Sequence, residues 1–361
     1  MGINLELEIL KFNGIVLERP LVIAGPCSAE SEEQVVETAR LLHKNGIKVF
    51  RAGIWKPRTR PNAFEGVGTR GLPWLRRVKE EFGMLTAIEV ANVKHVYEAL
   101  KAGIDILWIG ARTTANPFSV QEIADSLKGV DIPVMVKNPV NPDTELWIGA
   151  LERINNAGIK KIAAIHRGFS TYNKTEYRNS PQWEIPIELK RRIPDLPIIT
   201  DPSHICGNKE LLQEVSQRSI DLNFDGLMIE THVNPEKALS DAAQQLTPEE
   251  LKILLNRLII RKSNIEDALL LTTLEELRQE IDNFDDKLLE ILDSRMAVSR
   301  KIGEYKKKHN ITILQTSRWD ELLNRRIKLA GKKGLSEEFI TKVFRAIHQE
   351  SINHQTKVMN K

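Results

Sequence analysis

Eight compact apolar runs, rich in Val, Ile and Leu, recur along the chain with amphipathic stretches between them. They are LVIAG (21–25), KVFRAG (48–53), LTAIEV (85–90), DILWIG (105–110), PVMVKN (133–138), KIAAIHR (161–167), PIITD (197–201) and GLMIE (226–230). Seven are followed by a helical pattern before the next run, and the eighth by a helical stretch over 248–262. Strand and helix alternating eight times predicts a (β/α)8 barrel, a fold whose usual size is roughly 250 residues. Gly46-Ile47, Gly103-Ile104 and Gly158-Ile159 each close a helix and feed a strand, as glycine C-caps do. An open doubly wound sheet is the competing architecture, but no Gly-rich phosphate fingerprint follows the first run.

Ahead of the barrel, LELEILKF and IVLERP flank Asn13-Gly14, a two-residue turn signal, and predict an N-terminal β-hairpin lying as a lid over one end of the barrel. Beyond residue 273 nothing reads as a strand. Leu277, Ile281, Phe284, Leu288, Ile291, Val298, Ile302 and Tyr305 follow one another mostly in steps of three and four, the seam of one long helix. Roughly 35 residues at 1.5 Å each make a rod of about 50 Å, too long to bury its seam inside one small domain. The seam therefore calls for partner helices, expected from a second subunit in a homodimer. Two shorter helices are predicted over 316–331 and 336–357. The expected organisation is an α/β barrel domain over 1–262, a linker over 263–273 and an all-α helical domain over 274–361.

Composition narrows the function classes. Lys and Arg number 52 against 49 Asp and Glu, a net charge of +3 that offers no whole-chain attraction to nucleic acid or to an anionic membrane. Basic pairs and triplets in the tail (Arg300-Lys301, Lys306-Lys307-Lys308, Arg325-Arg326, Lys332-Lys333) lack interleaved aromatics and read as solvated helix faces. Two cysteines cannot build a disulfide framework and suit a reducing cytosol. No apolar run approaches the roughly 20 residues that a membrane span needs, and MGINLELEILKF lacks the basic start of a targeting peptide. A cytoplasmic enzyme acting on small molecules is the expectation.

In such a barrel the active site forms at the C-terminal ends of the strands. Those ends carry Cys27, Arg51 with Lys56, Glu89, Arg112, Lys137, His166 with Arg167, His204 and Glu230. Cations on consecutive strands repel one another unless anions compensate, and Arg suits bidentate contacts to phosphate and carboxylate. Arg112, Lys137 and Arg167 should converge on one point, while Lys56-Pro57-Arg58-Thr59 forms a second cationic spot, so two phosphorylated or carboxylated substrates are expected. Cys27, His204, Glu230 and Asp241 come from the first, seventh and eighth strand ends and the loop beyond, which adjoin where the barrel closes. A thiolate, an imidazole and two carboxylates suit a divalent ion of the Mn, Fe, Co or Zn type. Cys206, two residues after His204, is the rival thiol.

The motifs Gly25-Pro26-Cys27-Ser28-Ala29-Glu30-Ser31, Arg51-Ala52-Gly53, Lys56-Pro57-Arg58-Thr59, Gly110-Ala111-Arg112, Lys137-Asn138-Pro139, His166-Arg167-Gly168 and Asp201-Pro202-Ser203-His204 resemble, in order, those of the compact 3-deoxy-D-arabino-heptulosonate 7-phosphate (DAHP) synthases. The resemblance covers residues 3–262. It implies condensation of phosphoenolpyruvate with erythrose 4-phosphate, with the metal on Cys27, His204, Glu230 and Asp241. It implies phosphoenolpyruvate on Arg51, Lys56, Arg112, Lys137 and Arg167, and the sugar phosphate on Arg58 and Thr59. Lys56 is further expected to donate a proton to the developing alkoxide. The related 3-deoxy-manno-octulosonate 8-phosphate synthases carry a Lys-Ala-Asn-type loop where this chain has Lys-Pro-Arg-Thr, which favours the four-carbon sugar.

On the long tail helix the heptad step between Ile291 and Val298 lands on Arg295, with no acidic residue three or four positions away. A seam cation calls for a ligand, or for an interhelical ion pair such as one with Glu350. Leu277-Arg278-Gln279-Glu280-Ile281-Asp282, then Arg295, Lys306, Arg318 and Ser351-x-x-x-Gln355, resemble the all-helical chorismate mutases over about 274–357. That implies rearrangement of chorismate to prephenate, with Arg278 supplied by the partner subunit, Arg295 and Lys306 on the carboxylates and ether oxygen, and Arg318, Ser351 and Gln355 completing the pocket. Trp319 stands where many relatives have Glu, and Gln315 where Asp is frequent. The whole reads as a bifunctional enzyme of aromatic amino-acid biosynthesis with prephenate as feedback inhibitor. The alternative makes the tail a non-catalytic prephenate or chorismate sensor and dimerisation module.

Overall fold

The computed structural model describes residues 5–8, 11–12, 15–16, 19–56, 63–172, 175–261, 268–314 and 316–360. It divides into two units, 1–263 and 264–361. Among the described residues the first carries ten strands: β1 (Lys11–Phe12), β2 (Ile15–Val16), β3 (Leu21–Gly25), β4 (Val49–Arg51), β5 (Leu85–Val90), β6 (Ile106–Ile109), β7 (Val134–Lys137), β8 (Ile162–His166), β9 (Ile198–Thr200) and β10 (Gly226–Glu230). Strands β3 to β10 close into a parallel barrel in sequence order, β10 pairing with β3. Each of the eight apolar runs is one of these strands, trimmed by a residue or two where a run included its flanking loop.

The barrel interior is filled by Leu21, Ile23, Val49, Leu85, Ala87, Ile106, Trp108, Met135, Ala163, Ile165, Ile199 and Met228, while the alternate residues pack outward against the helices. Successive side chains on a strand point to opposite faces, so the parity set by these apolar residues carries on to the strand ends. Two residues beyond Val49 stands Arg51; beyond Ala87, Glu89; beyond Met135, Lys137; beyond Ile165, Arg167; beyond Ile199, Asp201; beyond Met228, Glu230. The apolar filling of the barrel and its ring of charges are one alternating pattern. The glycine C-caps hold as well: Gly46, Gly103 and Gly158 have φ of 83°, 74° and 98°.

β1 and β2 pair antiparallel, Phe12 opposite Ile15, as a shorter hairpin than the flanking runs suggest; the turn residues Asn13 and Gly14 lie outside the described residues. The segment before the hairpin is held at the N-terminal ends of the strands, the Glu8 amide donating to the Lys160 carbonyl at 3.0 Å. That is the end of the barrel opposite the charged ring.

The second unit is helical, with helices Ala268–Lys308, Thr316–Gly331 and Glu337–Met359. The long helix begins six residues ahead of position 274, inside the stretch 263–273 expected as linker, because Ala268-Leu269-Leu270-Leu271 are strong helix formers. It packs on Glu337–Met359 through Met296, Ser299, Ser351 and Gln355, all buried. Gly303 permits this approach, since a Cβ there would lie 3.0 Å from Gln355 Cα. Nearer the start of the long helix the apolar seam stays exposed: Ile281 59%, Phe284 59%, Leu288 52% and Ile291 63%. No described helix is long and apolar enough to cross a membrane.

Candidate active site

Cys27, Glu230 and Asp241 bring one ligand atom each to within 4.8 Å of one another. Cys27 Sγ lies 3.2 Å from Asp241 Oδ2, and Lys56 Nζ lies 2.9 Å from the same sulfur and 3.0 Å from the Cys27 carbonyl. Gly53 makes this possible, for a Cβ there would stand 2.4 Å from the Cys27 carbonyl oxygen. His204 stands beside this trio without coming within the same distance of all three, its Nε2 3.7 Å from Glu230 Oε1 and its Nδ1 2.8 Å from Asp201 Oδ2 but outside hydrogen-bonding geometry. Cys206 is packed in the core between strands and helices, and is no ligand in this arrangement.

The donor set fits a divalent ion of the borderline class. Glu230 Oε1 and His204 Nδ1 are buried without a hydrogen-bond partner among the described residues, although Glu230 Oε2 accepts from Gln244 Nε2 at 2.6 Å. Burial, then Glu230, pushes the Cys27 thiol up to about 12, whereas Lys56 works the other way. Coordination would reverse that sign, since a metal deprotonates a ligating thiol. Burial lowers the His204 pKa in spite of Asp201, keeping the imidazole in the neutral form that ligates. Burial raises and the neighbouring cations lower the carboxyls; the cations prevail, so Glu230 and Asp241 both sit below the ordinary carboxylate range.

Beside this group lie the cations. Arg51 is buried, with Nη2 3.3 Å from Glu230 Oε1, while Nε and Nη1 have no partner among the described residues. Its guanidinium carbon lies 5.0 Å from the centre of the Trp108 ring, and Lys137 Nζ lies 5.9 Å from the same centre. Lys137 pairs with Asp201 at 2.7 Å, both side chains buried. Arg167 donates to Asn179 Oδ1 at 2.7 Å; burial brings it down to about 10, with Arg178 and Arg112 adding to the shift against Asp201. Lys56 is held above the ordinary lysine range: burial opposes its charge, and Cys27 and Glu230 more than restore it. Arg112 is exposed at the start of the helix Ala111–Thr114. Arg58 and Thr59 lie outside the described residues.

His166 is a difference from the sequence reading of the strand ends. It has the outward parity and packs against Trp183, its Nε2 donating to the Pro181 carbonyl at 2.6 Å, so only Arg167 of that pair turns into the barrel. Asp201 and Trp108 stand among these groups and the sequence reading gave them no role; both continue the interior parity, and that signal could have found them. Arg178 and Asn179 come from an irregular loop and Gln244 from a single 3-10 turn, Ala242–Gln244, and they carried no such signal.

In the helical unit Arg295 is half-buried and donates to the Ser351 hydroxyl and the Ile347 carbonyl. Among the described residues no carboxylate pairs with it, and Glu350 turns to His354 instead, at 3.2 Å. Burial and the nearby Arg326 lower the Arg295 pKa. Lys306 Nζ donates to the Ile313 carbonyl at 2.6 Å. Gln355 is buried, its Oε1 without a partner among the described residues. Trp319 stacks on His348, ring centres 4.1 Å apart. Arg278 is exposed and pairs with Glu275 at 3.2 Å, away from these groups in the chain's own helix. Gln315 and the side chain of Arg318 lie outside the description.

An eight-stranded parallel barrel whose strand ends carry a thiol–imidazole–carboxylate group beside buried anion-seeking cations defines an α/β-barrel enzyme for anionic substrates, here joined to a helical domain that holds a half-buried arginine of its own. The model of the DAHP synthetase I family matches residues 15–264, and that of chorismate mutase type II matches residues 277–356. The chain belongs to the DAHP synthetase I family and carries a chorismate mutase type II domain behind the barrel, which makes it a bifunctional shikimate-pathway enzyme. It is 36% identical over 248 residues to the phospho-2-dehydro-3-deoxyheptonate aldolase of Thermotoga maritima, covering 69% of this chain and 70% of that one. It is 29% identical over 271 residues to the 2-dehydro-3-deoxyphosphooctonate aldolase of Desulfotalea psychrophila, covering 68% and 91%. The crystal structure of the Thermotoga maritima DAHP synthase superposes with a TM-score of 0.60 at 35% identity, covering 65% of this chain and 67% of that one.

Proposed function

We propose that the barrel condenses phosphoenolpyruvate with erythrose 4-phosphate in a divalent-metal-dependent reaction, and that the helical domain rearranges chorismate to prephenate and relays prephenate as a feedback signal. The observation that carries the first part is Arg51, a buried guanidinium with two donors that have no partner among the described residues, beside the thiol–carboxylate group. A buried cation in that state calls for an anion. Lys137, Arg167 and Arg112 complete the seat for the carboxylate and phosphate of phosphoenolpyruvate, and Arg58 with Thr59 holds the phosphate of the sugar. The Trp108 ring beneath Arg51 and Lys137 keeps water from their inner faces. Cys27, His204, Glu230 and Asp241 would hold the ion, which when bound supplies Lewis acidity toward the aldehyde oxygen.

Carbon 3 of phosphoenolpyruvate adds to the aldehyde carbon, and Lys56 delivers a proton to the oxygen as its charge develops. Carbon 2 becomes electron-poor, takes up water, and expels phosphate by C–O cleavage. The Lys56-Pro57-Arg58-Thr59 loop supports the four-carbon sugar over the five-carbon one.

In the helical domain the carrying observation is Arg295, a half-buried cation met among the described residues by a hydroxyl and a carbonyl and by no carboxylate. Chorismate brings carboxylates to it and to Lys306, and the rearrangement then needs only a held conformer and charge stabilisation on the ether oxygen, with no nucleophile. Arg278 reaches the pocket of a partner subunit in a homodimer formed over the exposed seam. Two buried cysteines, neither in a disulfide, suit work in the cytoplasm.

The test follows both reactions in the full-length protein and in Arg295→Ala. The wild type should consume phosphoenolpyruvate only after divalent metal is returned to the chelated protein, and should consume chorismate with or without it. Arg295→Ala should lose chorismate consumption and the prephenate inhibition of the barrel together. Undiminished synthase turnover in chelator would remove the metal from the reading. A wild type inert toward chorismate yet inhibited by prephenate would favour the sensor alternative.

A further inference from the structure

We propose that Arg178 is a positioning residue for the metal site: it holds Asp241, and through Gln244 also Glu230, in ligating geometry. This rests on the divalent-metal reading above. Arg178 belongs to the loop between β8 and the helix Glu184–Arg192. Its Nη1 donates to Asp241 Oδ1 at 3.0 Å and to Gln244 Oε1 at 2.8 Å. Gln244 Nε2 in turn donates to Glu230 Oε2 at 2.6 Å. One guanidinium nitrogen thus ties together two carboxylates that stand on different segments.

Asp241 needs such a hold. Its backbone is left-handed, φ 48° and ψ 39°, a conformation that a residue with a side chain adopts at a cost unless its surroundings impose it. With Oδ1 taken by Arg178, Oδ2 is turned toward Cys27 Sγ, 3.2 Å away.

Arg178 is itself fixed by the helix Pro202–Cys206, which bears His204. Its amide donates to the Cys206 carbonyl at 3.3 Å, and the Asn179 amide to the Ile205 carbonyl at 3.1 Å. Gly207, at φ 72°, gives it room, since a Cβ there would lie 2.5 Å from Arg178 Cβ. Asn179 donates to the His204 carbonyl at 2.6 Å and accepts from Arg167 at 2.7 Å. The adjacent pair Arg178-Asn179 therefore touches two of the four ligand segments, reaches a third through Gln244, and holds one anion-binding arginine.

Charge and position make opposite demands here. A cation 3.0 Å from a ligand carboxylate repels an incoming metal ion, so as a charge alone Arg178 would weaken binding, and its removal would tighten it. As a positioning group it strengthens binding, and losing an outer hydrogen-bond partner of a ligand typically costs about 10- to 100-fold in affinity.

The experiment titrates chelator-treated full-length protein with Cd2+ and follows the thiolate-to-metal absorbance, with no turnover involved. The wild type should bind one Cd2+ per chain. Arg178→Ala should bind it about 10- to 100-fold more weakly and regain the full thiolate band at saturation. Gln244→Met, which cuts only the arm to Glu230, should shift affinity in the same direction and serves if Arg178→Ala fails to fold. Unchanged or tighter binding in the folded variants would overturn the positioning role while leaving the metal reading intact. A wild type that binds no Cd2+ would overturn both.

Discussion

Removing one carboxylate, Asp201→Asn, exposes how the charged ring is balanced. Asp201 Oδ2 sits 2.7 Å from Lys137 Nζ, with the two side chains 0% and 5% exposed. Its Oδ1 accepts the His204 amide at 3.1 Å, capping the helix that carries His204. At 2.7 Å and an effective dielectric of about 20 the gross attraction is about 6 kcal/mol. Desolvation takes back much of this, but deleting one partner strands the other charge, at a net cost of about 3–5 kcal/mol. Asn keeps the cap acceptor and turns a donor or a neutral oxygen toward Lys137, so the loss is of charge, not of shape. At about 2–4 °C per kcal/mol for a domain of this size, the barrel transition should fall by about 6–20 °C. Calorimetry of the full-length protein reads this directly.

Saturating phosphoenolpyruvate should recover part of the loss, because its anionic groups give Lys137 a new partner and ligand binding stabilises the folded state. Acid supplies a second readout. Despite burial, the Asp201 carboxyl is held well below the ordinary range by His204 and Lys137. A depressed carboxyl contributes stability that is fully present above its unfolded value of about 3.9 and is lost as pH falls through the folded one. The wild type should therefore lose stability steeply below about pH 4, and Asp201→Asn should show a shallower acid limb. A melting temperature within about 1 °C of wild type, with an unaltered acid limb, would refute the argument that Lys137 depends on Asp201.

Lys56→Met should reduce synthase turnover far more than the apparent affinity for phosphoenolpyruvate, since the group is assigned to proton delivery; steady-state kinetics in which kcat stays constant would sink that role. Gly168→Ala should strain a backbone at φ 78° and drive a Cβ to 2.6 Å from the Asn179 carbonyl oxygen, lowering stability by about 1–3 kcal/mol and raising KM for phosphoenolpyruvate through Arg167; an unchanged KM would count against the Asn179 link. A charge on the exposed seam, Leu288→Asp, should convert a dimer to monomers in sedimentation and abolish mutase turnover by withdrawing the partner's arginine, leaving the barrel folded. A variant that stays dimeric and active would place the subunit interface elsewhere.

Most of the barrel was legible because its signals are local. A parallel strand buried on both faces must be apolar, and eight such runs separated by helical patterns have one compact closure. Period two then carried Arg51, Lys137, Arg167 and Glu230 into the mouth of the barrel, and applied more strictly it would also have selected Asp201 and Trp108 and set His166 aside. On the long helix the 3.6-residue period marked both the apolar seam and the cation that interrupts it. It placed the helix start at 274, six residues late, since Ala268 to Leu271 continue the helix at no cost in propensity.

Tertiary structure decided what depends on chain path rather than on spacing. Asp201 is separated from Lys137 by 64 residues and Arg178 from Asp241 by 63, and no periodicity links such pairs. The loop bearing Arg178 and Asn179 reaches the thiol–carboxylate group because it lies along the helix of His204, a contact made by backbone amides that any sequence would possess. That Arg295 meets Ser351 and a carbonyl, with Glu350 turned to His354, follows from which faces of two helices pack together. Sequence periodicity states which side of an element is buried; it does not state against what, and charge chemistry depends on the partner.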